Sequence, residues 1–206
     1  MKLYYAPGAC SLSPHIALRE AGVAFTLEKV DLKTHKLANG GDYTAINPKG
    51  YVPALQLDNG EVLTEGPAIV QYIADQKPQA GLAPAAGTLE RYHLAEWLSF
   101  ITSELHKSFS PLFNPDAAAA WKDAARANIA KRLDLIERHL DGKTYLLGER
   151  FTVADGYLFT VLNWSGWTQY DLSRWPRIQS YLERIAARPK VREALAAEGL
   201  LQNAAA

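Results

Sequence analysis

Hydrophobic positions in the first part of the chain repeat alternately with the short period of strands and the longer period of helices. Residues 3–6 form a short apolar run that is broken by Pro and Gly. Residues 11–22 then have the pattern of a helix, with Ser11 or Ser13 as its N-cap and a terminating glycine. Alternation over residues 23–27 predicts a second strand. The order strand, helix, strand is typical of a βαβ unit.

Turn signals predict the next elements. Residues 52–57 and 61–64 are strand-like and are separated by Asp58-Asn59-Gly60, which predicts a β-hairpin with Gly where a positive φ is needed. Glu65-Gly66-Pro67 then opens a helix that runs to about Gln76.

Composition changes between Lys77 and Gly87 to Pro, Gly, Ala and Gln, as in an interdomain linker. Strand signals are sparse after it. Helical periodicity or capping signals mark residues 89–107, 117–140, 153–169, 176–187 and 189–198. We therefore predict an α/β domain over residues 1–78, a linker over 79–87 and an all-helical domain over 88–206.

Charge and cysteine content narrow the class of function. Lys plus Arg (22) balance Asp plus Glu (22), which argues against nucleic acid or an anionic membrane as partner and favours a small molecule. The single cysteine excludes an internal disulfide. With no signal-peptide pattern and no apolar stretch of transmembrane length, we expect a soluble, cytoplasmic protein.

Cys10 is the sharpest chemical feature. It lies between the end of a predicted strand and the start of a predicted helix, where backbone N–H groups and the helix dipole favour a thiolate. The alternative is a small cysteine buried in the core. Position alone leaves both open.

Two further segments have features of a ligand site. Pro53 lies inside a strand-like run, where it marks a strand start, an edge or a cis bond, and an unpaired strand start can bind an extended peptide. Glu65 beside Gly66 at a helix N-terminus could hold the two charges of an amino acid. The alternatives are a plain edge proline and a carboxylate that only complements the helix dipole.

The helix predicted over residues 89–107 has an apolar stripe and a polar face. Ser99 and His106 are expected to point the same way on that face, at helical spacing. His106 could therefore line a cleft, although a solvated face is the alternative. Trp164, Trp167 and Tyr170 could wall an apolar pocket or belong to the core.

Taken together, six motifs resemble those of bacterial beta-class glutathione transferases, over nearly the whole chain. They are residues 2–11, 47–55, 63–66, 104–107, 110–113 and 151–155.

The resemblance implies a thioredoxin-like N-terminal domain with a cis Val52-Pro53 bond, an all-helical C-terminal domain and a homodimer. Glutathione would be the co-substrate, and no metal is expected. Cys10 would meet the glutathione sulfur and could form a mixed disulfide with it, while His106 would reach in from the helical domain. Val52 would pair with the cysteinyl backbone, and Glu65 with Gly66 would hold the γ-glutamyl end. The implied site comprises Cys10 and His106 as catalytic residues and Ala9, Ser11, His35, Val52, Pro53, Glu65, Gly66, Ser99 and Lys107 as binding residues.

The chain departs from that family pattern at three positions. His35 stands where Lys can hold the glycine carboxylate, Gly66 where Ser is frequent, and Ser99 where Asn can reach across the dimer. A neutral histidine is a weaker anchor, and the other two changes shorten or remove a polar side chain.

Three functions are compatible with these residues. The first is conjugation of glutathione to a small hydrophobic electrophile, either by addition or with displacement of a halide. The second is glutaredoxin-like thiol exchange through a Cys10 mixed disulfide. The third is a non-catalytic carrier of apolar ligands, because fold alone does not fix function.

Overall fold

The computed structural model describes residues 1–201. Contacts divide the chain into two compact units, one formed by Met1–Ala83 with the residues from Ala187 onward and the other by Pro84–Ala186. This division assigns the last helix to the first unit, whereas the sequence analysis assigned it to the helical domain. Residues 202–206 of that predicted domain lie outside the described residues.

The first unit is built on a mixed five-stranded sheet of order β3-β2-β1-β4-β5. Its strands are β1 (Lys2–Tyr5), β2 (Thr26–Asp31), β3 (Lys36–Leu37), β4 (Ala54–Gln56) and β5 (Val62–Thr64). Its helices are α1 (Leu12–Ala21), α2 (Gly66–Gln76) and α9 (Pro189–Ala197). β1 runs parallel to β2 and antiparallel to β4, and α9 packs against α1. The predicted βαβ unit and hairpin are both present.

The connection from α1 to β2 explains why the second strand starts later than predicted. Gly22 adopts the left-handed conformation, with φ 65°, and ends α1 as expected. The Val23 N–H then bonds to the Leu18 carbonyl at 3.3 Å, which closes the helix end in a Schellman motif. Val23 therefore belongs to the cap, and pairing with β1 begins at Thr26.

The second unit is helical. Its helices are α3 (Leu89–Phe100), α4 (Lys107–Phe113), α5 (Ala119–His139), α6 (Val153–Leu162), α7 (Trp164–Trp167) and α8 (Pro176–Ala186). α3 continues into α4 through a π-helical segment, Ile101–His106, which the sequence pattern did not predict. No helix among residues 1–201 is long and apolar enough to cross a membrane.

α6 begins with a capping box formed by Thr152 and Asp155. The Asp155 carboxylate accepts the Thr152 N–H at 2.7 Å, and the reciprocal bond from the N3 backbone to the Thr152 side chain is also made. Asp155 also accepts bonds from the Leu146 N–H and the Tyr181 hydroxyl, both at 2.8 Å. This buried carboxylate therefore ties three segments of the second unit together, which is a folding role.

Candidate active site

Cys10 lies in the loop between β1 and α1, next to the Val52 backbone. Its Sγ is 3.1 Å from the Val52 carbonyl oxygen, which accepts the thiol hydrogen bond. The side chain is partly exposed and not enclosed in the core. The loop turns sharply because Gly8 has φ 70°. The thiol is thus accessible and lies beside a second segment of backbone.

Buried polar groups hold this loop in place. The Ser11 hydroxyl accepts the Ala6 N–H at 3.1 Å and lies 3.2 Å from the Ala6 carbonyl. Ser11 occupies the N-cap position of α1, but its side chain makes no capping bond. The prediction of a serine cap was therefore right in position and wrong in bonding, because the hydroxyl is used to close the loop onto β1.

A second buried contact fixes the loop from the C-terminal side of the chain. The Gly8 N–H donates to Glu198 at 2.8 Å, and the same carboxylate lies 2.7 Å from His15 Nδ1. Arg19 donates to His15 Nε2 at 2.8 Å, so Nδ1 carries the hydrogen that bonds Glu198. The side chains of His15 and Glu198 are both fully buried. Sequence reasoning missed this group.

The Val52-Pro53 bond is cis, as the resemblance implied. β4 begins only at Ala54, so Val52 precedes the strand ladder. The carbonyl of Tyr51, just before it, accepts hydrogen bonds from the Tyr43 hydroxyl at 3.0 Å and from Asn47 Nδ2 at 2.7 Å. Both donors come from buried residues. The segment is therefore held firmly where an extended peptide could pair with it.

Glu65 occupies the N-cap position of α2 with an unusual backbone, φ 69° and ψ 116°. A positive φ at a non-glycine residue is strained and clusters at functional sites. Its carboxylate accepts bonds from Lys49 Nζ at 2.5 Å and from the Tyr51 hydroxyl at 2.9 Å. Lys49 and Tyr51 were not predicted as site residues. Both residues belong to the 47–55 motif and both side chains reach Glu65, so their presence in that motif is the signal that could have found them.

His35 packs beside the same loop. A Cβ built on Gly50 would lie 3.1 Å from the His35 ring, so glycine is needed for this close approach. The His35 backbone has φ 53°, and its carbonyl accepts the Tyr43 N–H at 2.9 Å. Its Nδ1 is buried and has no hydrogen-bond partner among the described residues.

His106 lies at the end of the π-helical segment in the second unit, within an aromatic environment. Its Nδ1 is 2.7 Å from the Tyr157 hydroxyl, and its ring centroid is 4.7 Å from that of Trp164 in an edge-to-face contact. Burial, with a smaller contribution from the charge of Lys107, lowers the pKa of His106 from 6.5 to about 4. The imidazole is therefore neutral at pH 7.

The π-helical segment changes the expected relation between Ser99 and His106. Sharing a face required an unbroken α-helix between them, and the altered rotation per residue breaks that spacing. Ser99 is exposed, and its carbonyl accepts the Ser103 hydroxyl at 3.0 Å, whereas His106 contacts buried rings. The two residues thus have different surroundings.

The aromatic residues of this unit differ in exposure. Trp164 is buried and contacts Phe109 and Phe113 edge to face. Phe113 is 47% exposed and Trp167 is 49% exposed. Core and accessible rings are therefore adjacent here. No group of three or more potential metal ligands occurs among residues 1–201.

Comparison with family models matches both parts of the chain. The model described as "Glutathione S-transferase, N-terminal domain" matches residues 8–76. The model described as "Glutathione S-transferase, C-terminal domain" matches residues 100–189. These matches confirm a thioredoxin-like N-terminal domain followed by a helical domain.

Individual proteins give the same result. The chain is 50% identical to glutathione S-transferase GstA of Escherichia coli O157:H7, over 97% of this chain and 100% of the relative. It is 53% identical, with a TM-score of 0.94, to a bacterial beta-class glutathione S-transferase of Sphingomonas chungbukensis, over 98% and 100% of the two chains. A sphingomonad glutathione S-transferase solved in complex with glutathione is 50% identical, with a TM-score of 0.94, over 97% and 100%. The resemblance to the bacterial beta class is confirmed.

Proposed function

The chain belongs to the glutathione S-transferase family, and on that premise we propose that it conjugates glutathione to small hydrophobic electrophiles with Cys10 at the glutathione sulfur. The observation that carries this proposal is the 3.1 Å contact between Cys10 Sγ and the Val52 carbonyl. A tripeptide that pairs its cysteinyl backbone with Val52 would bring its own sulfur to Cys10.

The rest of the first unit supplies groups for the other parts of glutathione. The γ-glutamyl ammonium would bind the Glu65 carboxylate, next to Lys49 and Tyr51, while the Gly66 N–H at the start of α2 would bind the γ-glutamyl carboxylate. His35 would lie at the glycine end. Ala9, Ser11 and Pro53 would shape the site around the sulfur.

Two residues of the second unit complete the proposal. His106, neutral in its aromatic surroundings, would assist the reaction of the glutathione sulfur, with Lys107 beside it. Ser99 would contact the γ-glutamyl group of a second copy in a homodimer, less strongly than the longer Asn. The accessible rings of Phe113 and Trp167 favour planar, apolar electrophiles.

A mixed disulfide between Cys10 and glutathione is part of this proposal. The Cys10 thiolate would attack the glutathione sulfur of a mixed-disulfide substrate, form the Cys10–glutathione disulfide and release the other thiolate. A second glutathione thiolate would then attack that disulfide, restore the Cys10 thiolate and leave as oxidised glutathione, so that the substrate disulfide is reduced. We place this activity in the cytoplasm, as part of detoxification.

Activity assays on the purified chain test the proposed function. It should be retained on immobilised glutathione and should transfer glutathione to at least one member of a panel of halogenated aromatics and epoxides. Retention without transfer to any of them would favour the carrier function instead. Failure to be retained, with no transfer, would contradict glutathione as the co-substrate.

A further inference from the structure

Tyr157 makes a short polar contact with the His106 ring. The Tyr157 hydroxyl on α6 lies 2.7 Å from His106 Nδ1. Tyr157 is buried, and it also lies 3.3 Å from the Thr102 hydroxyl, one turn before His106 along the π-helical segment. One phenol group is thus placed between two side chains of the same helical segment.

The positions of the hydrogens follow from these distances. Thr102 Oγ1 is 2.7 Å from the Leu98 carbonyl, which can only accept, so the single Thr102 hydrogen points there. His106 Nδ1 lies 2.7 Å and Thr102 Oγ1 lies 3.3 Å from the Tyr157 hydroxyl, and either could accept its hydrogen. The shorter contact has the length of a strong hydrogen bond, so Nδ1 is the acceptor.

We propose that Tyr157 is a positioning residue that fixes His106 in the tautomer with its hydrogen on Nε2, so that the ring acts in glutathione transfer as a hydrogen-bond donor. A neutral imidazole carries one hydrogen, and an Nδ1 that accepts from Tyr157 leaves that hydrogen on Nε2. This inference rests on the proposed function, because it assigns the chemical role of a residue in that same reaction.

A donor at Nε2 has a defined chemical consequence. An N–H group stabilises the negative charge of a glutathione thiolate but cannot remove the thiol proton, because the lone pair of the ring is already bonded at Nδ1. The thiol proton therefore goes to solvent base. Trp164 packs against the ring edge to face, at 4.7 Å between centroids, which favours this orientation of the imidazole.

Nuclear magnetic resonance tests the tautomer directly on the full chain labelled with ¹⁵N at its five histidines. Long-range ¹H–¹⁵N correlations at pH 7 distinguish a protonated from an unprotonated ring nitrogen, and the His106 signals are assigned by their absence in His106→Gln. We expect a protonated Nε2 in the wild type. Tyr157→Phe should lose this preference and give a mixture of tautomers.

Steady-state kinetics of glutathione transfer provide the second test. Tyr157→Phe should lower kcat by about tenfold, because part of the molecules then carry the other tautomer and the ring is no longer held in place for its hydrogen bond in the transition state, with the KM for glutathione changed less than about twofold. Tyr181→Phe is the matched control, because Tyr181 is a buried tyrosine of the same unit whose hydroxyl bonds Asp155 instead. It should keep both the Nε2 tautomer and kcat.

A protonated Nδ1 in the wild type, or an unchanged His106 tautomer in folded Tyr157→Phe, would overturn the inference. So would a changed tautomer with unchanged kcat, because His106 would then not act as the donor. Absence of transfer by the wild type would count against the proposed function alone, since the spectra report the tautomer without turnover.

Discussion

The two ends of the proposed glutathione site in the first unit are built differently. At the thiol end, buried side chains hold the loop, and those of His15 and Glu198 have no exposed surface. At the Glu65 end, the contacts are between exposed side chains, with Lys49 45% and Glu65 51% accessible. One end is fixed by groups that solvent cannot reach, and the other by groups that solvent surrounds.

Because of this difference, we expect the thiol end to contribute mainly to the stability of the fold and the Glu65 end mainly to ligand affinity. Removing the carboxylate acceptor of a buried hydrogen-bonded group leaves its donors with neither a partner nor solvent, which is destabilising. An exposed ion pair contributes little to folding because water and salt screen it. Substitutions at the thiol end should therefore change the stability of the fold, whereas those at the Glu65 end should change ligand affinity in a fold of unaltered stability.

The largest effect is expected for Glu198→Gln. Glu198 accepts hydrogen bonds from both His15 and Gly8, and the amide NH₂ of glutamine would face one of these donors. Because a buried donor would lose its carboxylate acceptor, we expect a loss of about 3 kcal/mol in the free energy of unfolding, equivalent to a fall of roughly 6 to 12 °C in Tm. Thermal unfolding measures it. Glu193→Gln, on the same helix but exposed, is the control and should change stability by less than about 1 kcal/mol.

Acid should lower the free energy of unfolding through His106 in the second unit, because burial disfavours the protonated ring. Its pKa in the folded protein is about 4, below the ordinary 6.5, so its contribution to stability is fully present above pH 6.5 and is lost as the pH falls toward 4. The loss amounts to about 3 kcal/mol at most. Chemical unfolding of wild type and His106→Gln at pH 7 and pH 4.5 should show a smaller pH effect in the variant. Equal pH effects in both would exclude a depressed pKa. The exposed His93→Gln should behave as the wild type.

Glu65→Ala tests the other half of the comparison. It should weaken glutathione binding by roughly 1.5 to 3 kcal/mol, the range of a charge-assisted hydrogen bond. Its effect on the free energy of unfolding should stay below about 1 kcal/mol, because the Lys49 contact is exposed. Calorimetry and thermal unfolding measure the two quantities. Glu61→Ala, an exposed carboxylate of the nearby hairpin, should leave both unchanged. Unaltered affinity in folded Glu65→Ala would remove Glu65 from the site.

The smallest expected effect is a gain in glutathione affinity, produced by Gly66→Ser. A Cβ added at Gly66 meets no atom within 4 Å, so Gly66→Ser fits without strain. The new hydroxyl would give the γ-glutamyl carboxylate a second donor at the start of α2, and we expect about threefold tighter binding, less than 1 kcal/mol. Gly66→Ala separates the hydroxyl from the reduced chain entropy. Equal affinities of the serine and alanine variants would argue against this contact.

Local signals predicted the fold, and long-range contacts explain what they missed. Strong local signals were enough to predict α1, the hairpin and α2. These signals are Gly22 at the end of α1, the turn at residues 58–60 and Pro67 in the first turn of α2. The bond between His15 and Glu198 joins residues 183 positions apart, and no local pattern indicates it.

The candidate site shows the same limit. The motifs indicated Cys10, Val52 and Glu65, because each stands at a predicted strand or helix end. The partners of Glu65 and the π-helical segment before His106 depend on packing between elements. The relation assumed between Ser99 and His106 failed for that reason, since helical spacing alone cannot predict a change of helix type.

The role of Cys10 at the reacting sulfur is tested by Cys10→Ser, because Cys10 is the only cysteine of the chain. Conjugation and disulfide reduction are measured on wild type and variant, with intact-mass spectrometry of the wild type after exposure to oxidised glutathione. We expect a glutathione adduct on the wild type, loss of disulfide reduction in the variant, and reduced but measurable conjugation, since glutathione supplies the nucleophile for conjugation and serine retains a hydrogen-bond donor. Full retention of both activities by Cys10→Ser would contradict the placement of Cys10 at the reacting sulfur.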